Sequence, residues 1–176
     1  MPASTHTEVQ LLVAFVDLTR FMEVSRRLDE RRIATLLDEL YERVGARVSA
    51  AGGRVVKFLG DGALLAFAED AVDAGVAALV DLKGEIDGWL KGQGYDSRLT
   101  VKAHFGPVVA GEFGARGDKR FDVVGRTVNT AALLDTRSLA ITPQAFRRLE
   151  PATRRRFKKH TPPVTYIPVE AAHRTS

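Results

Sequence analysis

Residues 11 to 18 read LLVAFVDL, an apolar run rich in β-formers and too short for an independent helix, so a buried strand carrying Asp17 near its end is predicted. After Asp29 the period changes: Ile33, Leu36, Leu37, Leu40, Tyr41, Val44 and Val48 recur at three- and four-residue spacing on one helical face. Asp29 is placed to cap that helix and Gly52-Gly53 to stop it. VVKFLGDGALLAF then predicts a hairpin, Val55–Leu59 and Ala63–Phe67, with Gly60 and Gly62 free to take positive φ. In strict alternation Lys57 shares a face with Val55 and Leu59, while Val56 and Phe58 take the other. A second amphipathic helix follows from about Asp70 to Leu90. RLTVKAHFGPVVAGEFG reads as a strand pair turning near Gly106-Pro107. KRFDVVGRTVNTAALLD reads as a strand ending near Val124, with Gly125 opening a helix that contains Asn129. SLAIT is a short strand, Pro143 to Leu149 a short helix, and PVTYIPV a closing strand.

The order βαββαβ is the split βαβ of an α+β, ferredoxin-like sheet with helices on one face, here followed by extra C-terminal elements. A single domain over 1–176 with a core of about 10–168 is expected, since no repeat, low-complexity stretch or linker interrupts the pattern. The first ten residues and the tail after Val169 are expected to fray.

Composition narrows the chemistry. The chain has 176 residues, 45% hydrophobic and 27% charged, as for a soluble globular protein. No apolar run approaches the roughly 20 residues of a membrane span, and MPASTHTEVQ lacks the order of a secretion signal, so a cytoplasmic location is expected. Zero cysteines exclude disulfides, thiolate catalysis and cysteine-ligated zinc. The net charge of +4 is modest. Its densest basic run, RRRFKK at Arg154 to Lys159, fits either an anionic partner or a solvated helix end, and no nucleic-acid motif accompanies it.

Asp17 and Asp61 could converge at one end of the sheet, where two carboxylates repel unless a cation intervenes. Oxygen-only ligands suit Mg²⁺ or Mn²⁺, which bind through one or two carboxylates plus substrate phosphates. Equally, Asp17 could cap the following turn and Asp61 could form its own. Lys57 and Asp122 offer one donor and one acceptor, enough to read the edge of a nucleobase, or enough for a cross-strand salt bridge. Asn129, early on its helix, could contact a ribose or phosphate. His104 reads as a satisfied core histidine. No Ser/His/Asp constellation and no phosphate-binding glycine loop is present.

Four blocks in order, FVDLTRF, GGRVVKFLGDGALLAF, AHFGPVVAGEFG and FDVVGRTVNTAALLD, resemble the class III nucleotidyl cyclase catalytic domain over roughly residues 10 to 168. The resemblance implies conversion of ATP to 3′,5′-cyclic AMP and pyrophosphate with two Mg²⁺ or Mn²⁺ ions. It makes Asp17, Asp61 and the Leu18 carbonyl metal ligands, and it puts Phe21 at the substrate. Lys57 and Asp122 match the adenine-selecting pair and Asn129 the ribose-orienting asparagine. It also implies a homodimer with sites shared head to tail: one protomer supplies the aspartates, the other Lys57, Asp122 and Asn129. One departure stands out. The family pattern N-x-A-x-R ends in a transition-state arginine, whereas here Leu133 follows Asn129-Thr130-Ala131-Ala132. Low activity, or a nucleotide-binding pseudo-cyclase, is the consequence expected, unless Arg126 or Arg137 substitutes. A phosphate-binding lysine of some members aligns with Val164.

Overall fold

The computed structural model describes residues 6–172. Its central strand β1 (Thr7–Leu18) sends Leu12, Ala14, Val16 and Leu18 to one face and Val13 and Phe15 to the other. That two-sided burial is why LLVAFVDL carries no alternation. β1 lies antiparallel between β3 (Gly62–Ala68) and β4 (Leu99–Ala115). A short α1 (Phe21–Ser25) follows β1, and β2 (Gly53–Leu59) pairs with β3 as the predicted hairpin.

The expected helices form as α2 (Glu30–Ala50) and α3 (Val72–Gly92). Asp29 caps α2, its Oδ1 accepting from the Arg32 N–H at 2.7 Å, a contact whose loss typically costs about 1 kcal/mol. Leu36, Leu40, Val44 and Val48 of α2 and Val76, Leu79, Leu82, Ile86 and Leu90 of α3 are buried against one sheet face. At about 1.5–3 kcal/mol for each large side chain removed from water, this layer dominates stability.

β5 (Asp118–Val124) pairs with the far end of β4, and α4 (Arg126–Leu133) follows at Gly125. Then come β6 (Leu139–Ile141), α5 (Pro143–Phe146), α6 (Pro151–Arg154), β7 (Phe157–His160) and β8 (Thr165–Pro168). The eight strands run β2-β3-β1-β4-β6-β8-β7, with β5 paired to β4 off this path. The ferredoxin-like core thus matches the expectation, both long helices lying on one face. α4, among the added elements, covers the opposite face: Ala131 joins Val13, Leu64, Val108 and Val123 in a second, smaller apolar cluster.

Three local expectations are corrected. β4 is one strand of 17 residues, and the chain does not turn at Gly106-Pro107. A strand tolerates proline where no ladder partner needs its N–H, and Pro107 falls between the stretch of β4 paired to β6 and that paired to β5. The turn comes instead at Gly117, with φ 85°. β1 begins at Thr7, so residues 7–10 are strand rather than frayed; residues 1–5 and 173–176 lie outside the described residues. Of the two hairpin glycines only Gly60 takes positive φ, at 63°. The basic run splits between the end of α6 and edge strand β7, with Arg156 paired to Asp81 at 2.7 Å. Charged side chains protect such an edge from pairing. No helix among the described residues is long and apolar enough to cross a membrane.

Candidate active site

The β2–β3 turn is held from below by α2. Tyr41 donates its hydroxyl to the Gly60 carbonyl at 2.5 Å and stacks on Phe58 with centroids 3.9 Å apart. On the other side the Leu18 N–H donates to the Asp61 carbonyl at 3.2 Å. Asp17 stands opposite Gly62 in the β1–β3 ladder, one residue from Asp61. Gly62 is required by closeness rather than by φ: a Cβ there would come within 2.4 Å of the Val16 carbonyl and 2.9 Å of Asp17 Oδ1. The chain leaving Asp17 is fixed as well. Thr19 accepts through its hydroxyl from the Arg98 N–H at 2.9 Å, donates its own N–H to the Arg98 carbonyl at 2.8 Å, and takes the Ser97 hydroxyl on its carbonyl at 2.6 Å. Arg20, in the left-handed region at φ 56°, bonds Asp96 and Glu23.

The two aspartates therefore meet at one end of the sheet. Burial first, and then the Asp61 charge, push Asp17 up to about 6, against an opposing pull from Lys102. Burial also raises Asp61. Like charges brought together on half-desolvated oxygens are a site short of positive charge. Among the described residues no group of three or more His, Asp and Glu side chains forms a metal cage. Two neighbouring carboxylates, Asp17 with room beside it, fit Mg²⁺ or Mn²⁺, which complete their shells with phosphate and water.

That room is a cleft of about 370 Å³ bordered by Asp17, Thr100, Lys102, Ala132, Thr136 and Arg137. A larger cavity of about 450 Å³ between α3, β6 and β8 contains none of the motif residues. None of Asp61, Lys57, Asp122 and Asn129 lines the Asp17 cleft; Asp61 borders the packed space under the β2–β3 turn with Tyr41 and Phe58.

Lys57 and Asp122 meet elsewhere, Nζ to Oδ2 at 2.6 Å, and Asp122 Oδ1 also accepts from the Val123 N–H at 2.8 Å. Strict alternation misplaces Lys57. The ladder runs Val55 opposite Leu65 and then Lys57 opposite Leu64, a bulge that leaves Val56 as the extra residue. Lys57 consequently shares the face of Leu64 and Val56, while Val55 and Phe58 turn toward the helices. Asp122 reaches it because the β4–β5 hairpin curls over this second face, packing Phe121 and Val123 with Val56 and Leu64 and setting Arg54 over the Phe121 ring at 3.7 Å. The side chains are 44% and 23% exposed, so the pair contributes at most about 1 kcal/mol to the fold.

Asn129 is exposed on α4. Leu133 is 82% exposed, an unusual position for a leucine at a helix end. Of the two candidate substitutes for an arginine, Arg137 borders the cleft and Arg126 does not. Phe21 packs against the helix-side core rather than lining the cleft. His104 is a satisfied strand residue, with Nδ1 2.8 Å from Thr142 Oγ1 and its pKa lowered by burial. Val164 is half-exposed between β7 and β8. The sequence reading missed Lys102, although it carries the same signal as Lys57, a charge inside an apolar strand. It also missed the Tyr41 hydroxyl, because on a helical wheel a tyrosine reads only as part of the apolar face.

The chain is 28% identical over 150 residues to adenylate cyclase 2 of Rhizobium meliloti, covering 78% of this chain and 41% of that protein. It is 34% identical over 128 residues to an adenylate cyclase of Streptomyces coelicolor, covering 71% of this chain and 29% of that protein. It thus spans less than half the length of either relative. A solved bacterial light-regulated adenylyl cyclase superposes with a TM-score of 0.82 at 21% identity, over 94% of this chain and 53% of that one, which shows the shared fold. The sequence profile of the adenylate and guanylate cyclase catalytic domain matches residues 1–161, and the chain belongs to that family.

Proposed function

We propose that this domain is an adenylate cyclase that converts ATP to 3′,5′-cyclic AMP and pyrophosphate at a site shared by two copies of the chain. The observation that carries the reading is the meeting of Asp17 and Asp61 at one sheet end, each with its pKa raised and with a cleft alongside Asp17. Asp17, Asp61 and the Leu18 carbonyl would hold two Mg²⁺ or Mn²⁺ ions. When bound, such ions lower the pKa of the ribose 3′-hydroxyl and neutralise charge on the triphosphate. In the reaction the 3′-oxygen bonds to the α-phosphorus, the α–β bridging bond breaks toward pyrophosphate, and the hydroxyl proton leaves to water. The ladder and the Gly62 close approach hold both carboxylates in place, so little reorganisation is needed at the moment of reaction.

Lys57 and Asp122 supply a donor and an acceptor within 2.6 Å of each other, a spacing suited to the amine and ring nitrogen of adenine. Their separation from the Asp17 cleft supports a divided site, with base and ribose groups from one protomer serving the carboxylates of the other. Asn129, exposed on α4, is free to reach across. The test is incubation with Mn-ATP over a range of protein concentrations. Cyclic AMP should form, with specific activity rising in the dilute range; no product at any concentration rejects the reading, and a flat response from a confirmed monomer rejects the shared site.

A second reading is a pseudo-cyclase that binds metal-ATP without turnover, and Leu133 is what favours it. Loss of one preorganised donor or cation typically costs about 10²–10³ in rate. ATP binding without product, unchanged in Leu133→Arg, would select this reading.

A further inference from the structure

We propose that Lys102 is a phosphate-binding residue of this site, and that with Arg137 it forms a cationic cradle for the polyphosphate of a nucleoside triphosphate on the same chain as Asp17. The proposal rests on reading the Asp17 cleft as the nucleotide site.

Lys102 has little choice of direction. Val101 and Ala103 on either side are buried in the helix-side core, which turns Lys102 to the opposite face. There it stands opposite Phe15 in the β1–β4 ladder and opposite Ala140 in the β4–β6 ladder, so it is flanked by paired strands on both sides. Asp17 is its diagonal neighbour, since Asp17 stands opposite Thr100. Lysine is rare in the interior of a sheet unless something answers its charge. Among the described residues Lys102 makes no ion pair. Its Nζ donates to the Ala132 carbonyl at 3.4 Å, too long for a strong bond and a use of one donor of three. Arg137, in the loop between α4 and β6, borders the same cleft and also makes no ion pair among the described residues.

Two cations that form no ion pair among the described residues thus border a cleft whose one carboxylate is Asp17, which Lys102 faces as a diagonal neighbour without pairing to it. With metal on the carboxylates, the cleft is left with an excess of positive charge and has room for a chain of phosphates. Lysine meets such a ligand as a point charge with three donors, arginine through a planar fork. A different account makes Lys102 a structural cap, its ammonium satisfying the end of α4. The two separate cleanly: Lys102→Gln keeps a donor for the Ala132 carbonyl and removes the charge, whereas Lys102→Arg keeps the charge.

The probe is inorganic tripolyphosphate titrated by calorimetry into the full chain with Mn²⁺ present. Lys102→Gln should bind it roughly tenfold to hundredfold more weakly, with an unchanged melting temperature, and Lys102→Arg should bind within a few-fold of the parent. Arg137→Gln, at an exposed loop position, should weaken binding in the same direction and reads the cradle even if the strand variants fold poorly. Tripolyphosphate affinity unchanged in Lys102→Gln overturns the proposal, as does a parent protein that does not bind the probe. A parent that binds tripolyphosphate in this Lys102-dependent way but forms no cyclic AMP leaves the cradle standing and removes the cyclase reading.

Discussion

The two faces of this sheet are made differently. On the helix side, α2 and α3 lay an apolar layer over the central strands, and the partly buried polar groups beside it pair with one another or with the strand backbone: Arg43 and Arg47 with Glu85, Lys83 with Asp87 and the Leu99 carbonyl. On the other face the apolar cluster shrinks to Val13, Leu64, Val108, Val123 and Ala131. The rest of that face carries Asp17, Lys57, Lys102 and Asp122, with only the short α4 and the curled β4–β5 hairpin as cover. Stability is concentrated on one side of the β-ladder, and charge that the fold does not need on the other. The proposed cyclase reading accounts for that cost, since aspartates that repel one another without a cation are suited to holding one.

Substitutions on the two faces should therefore fail in different ways. The largest effect is expected for Asp61→Asn, which should lower cyclic AMP formation about a thousandfold while leaving the melting temperature at least as high as the parent's. Equal losses of activity and stability would erase the distinction. On the helix side, Leu82→Ala should cost about 2–5 kcal/mol in urea denaturation, since its fully buried site leaves a cavity. Activity per folded molecule should then be retained. Leu133→Arg should raise turnover about a hundredfold, measured at saturating Mn-ATP, if the missing cation limits the rate.

The smallest effect concerns stability alone. In the metal-free protein, Asp17 keeps its proton up to about 6 when folded but loses it near 3.8 when unfolded. The unfolded state therefore binds fewer protons between those values, so stability is highest at the acid end, falls as pH rises toward 6, and then levels. Asp17→Asn should abolish that decline and stabilise the metal-free domain at pH 7.5 by about 1 kcal/mol, screening by solvent at this half-exposed position keeping the figure small. Thermal melts in chelator across pH 4 to 8 measure it; a parent whose melting temperature rises over that interval contradicts the assigned repulsion.

Much of this was legible in the residues themselves. The change from an unbroken apolar run to a three- and four-residue period placed β1 and α2, because burial on two faces or on one stripe leaves those patterns directly in the chain. Asp17 and Asp61 could be picked out because a carboxylate beside a buried strand needs a reason. The Lys57 face was misjudged, since a bulge depends on how β2 meets β3 and nothing in VVKFL marks it. Lys102 was overlooked because its significance comes from Asp17, a neighbour 85 positions away in the chain that only the β1–β4 ladder brings close. Gly106-Pro107 looked like a turn because local propensity favours one, and the long pairing of β4 with β1 overrode it.

The chain by itself determined the βαββαβ order of its core elements, the apolar stripes of the two long helices, and the charged residues Asp17, Lys57, Asp61 and Asp122 that stand out beside its strands. These follow from periodicity and the cost of burying charge, both of which act residue by residue. The tertiary structure alone decided which of those charges meet: Asp17 with Asp61 and Lys102 at one sheet end, and Lys57 with Asp122 across the curled hairpin. Such meetings are set by register, bulge and strand coiling, which are properties of pairs of segments rather than of any one of them.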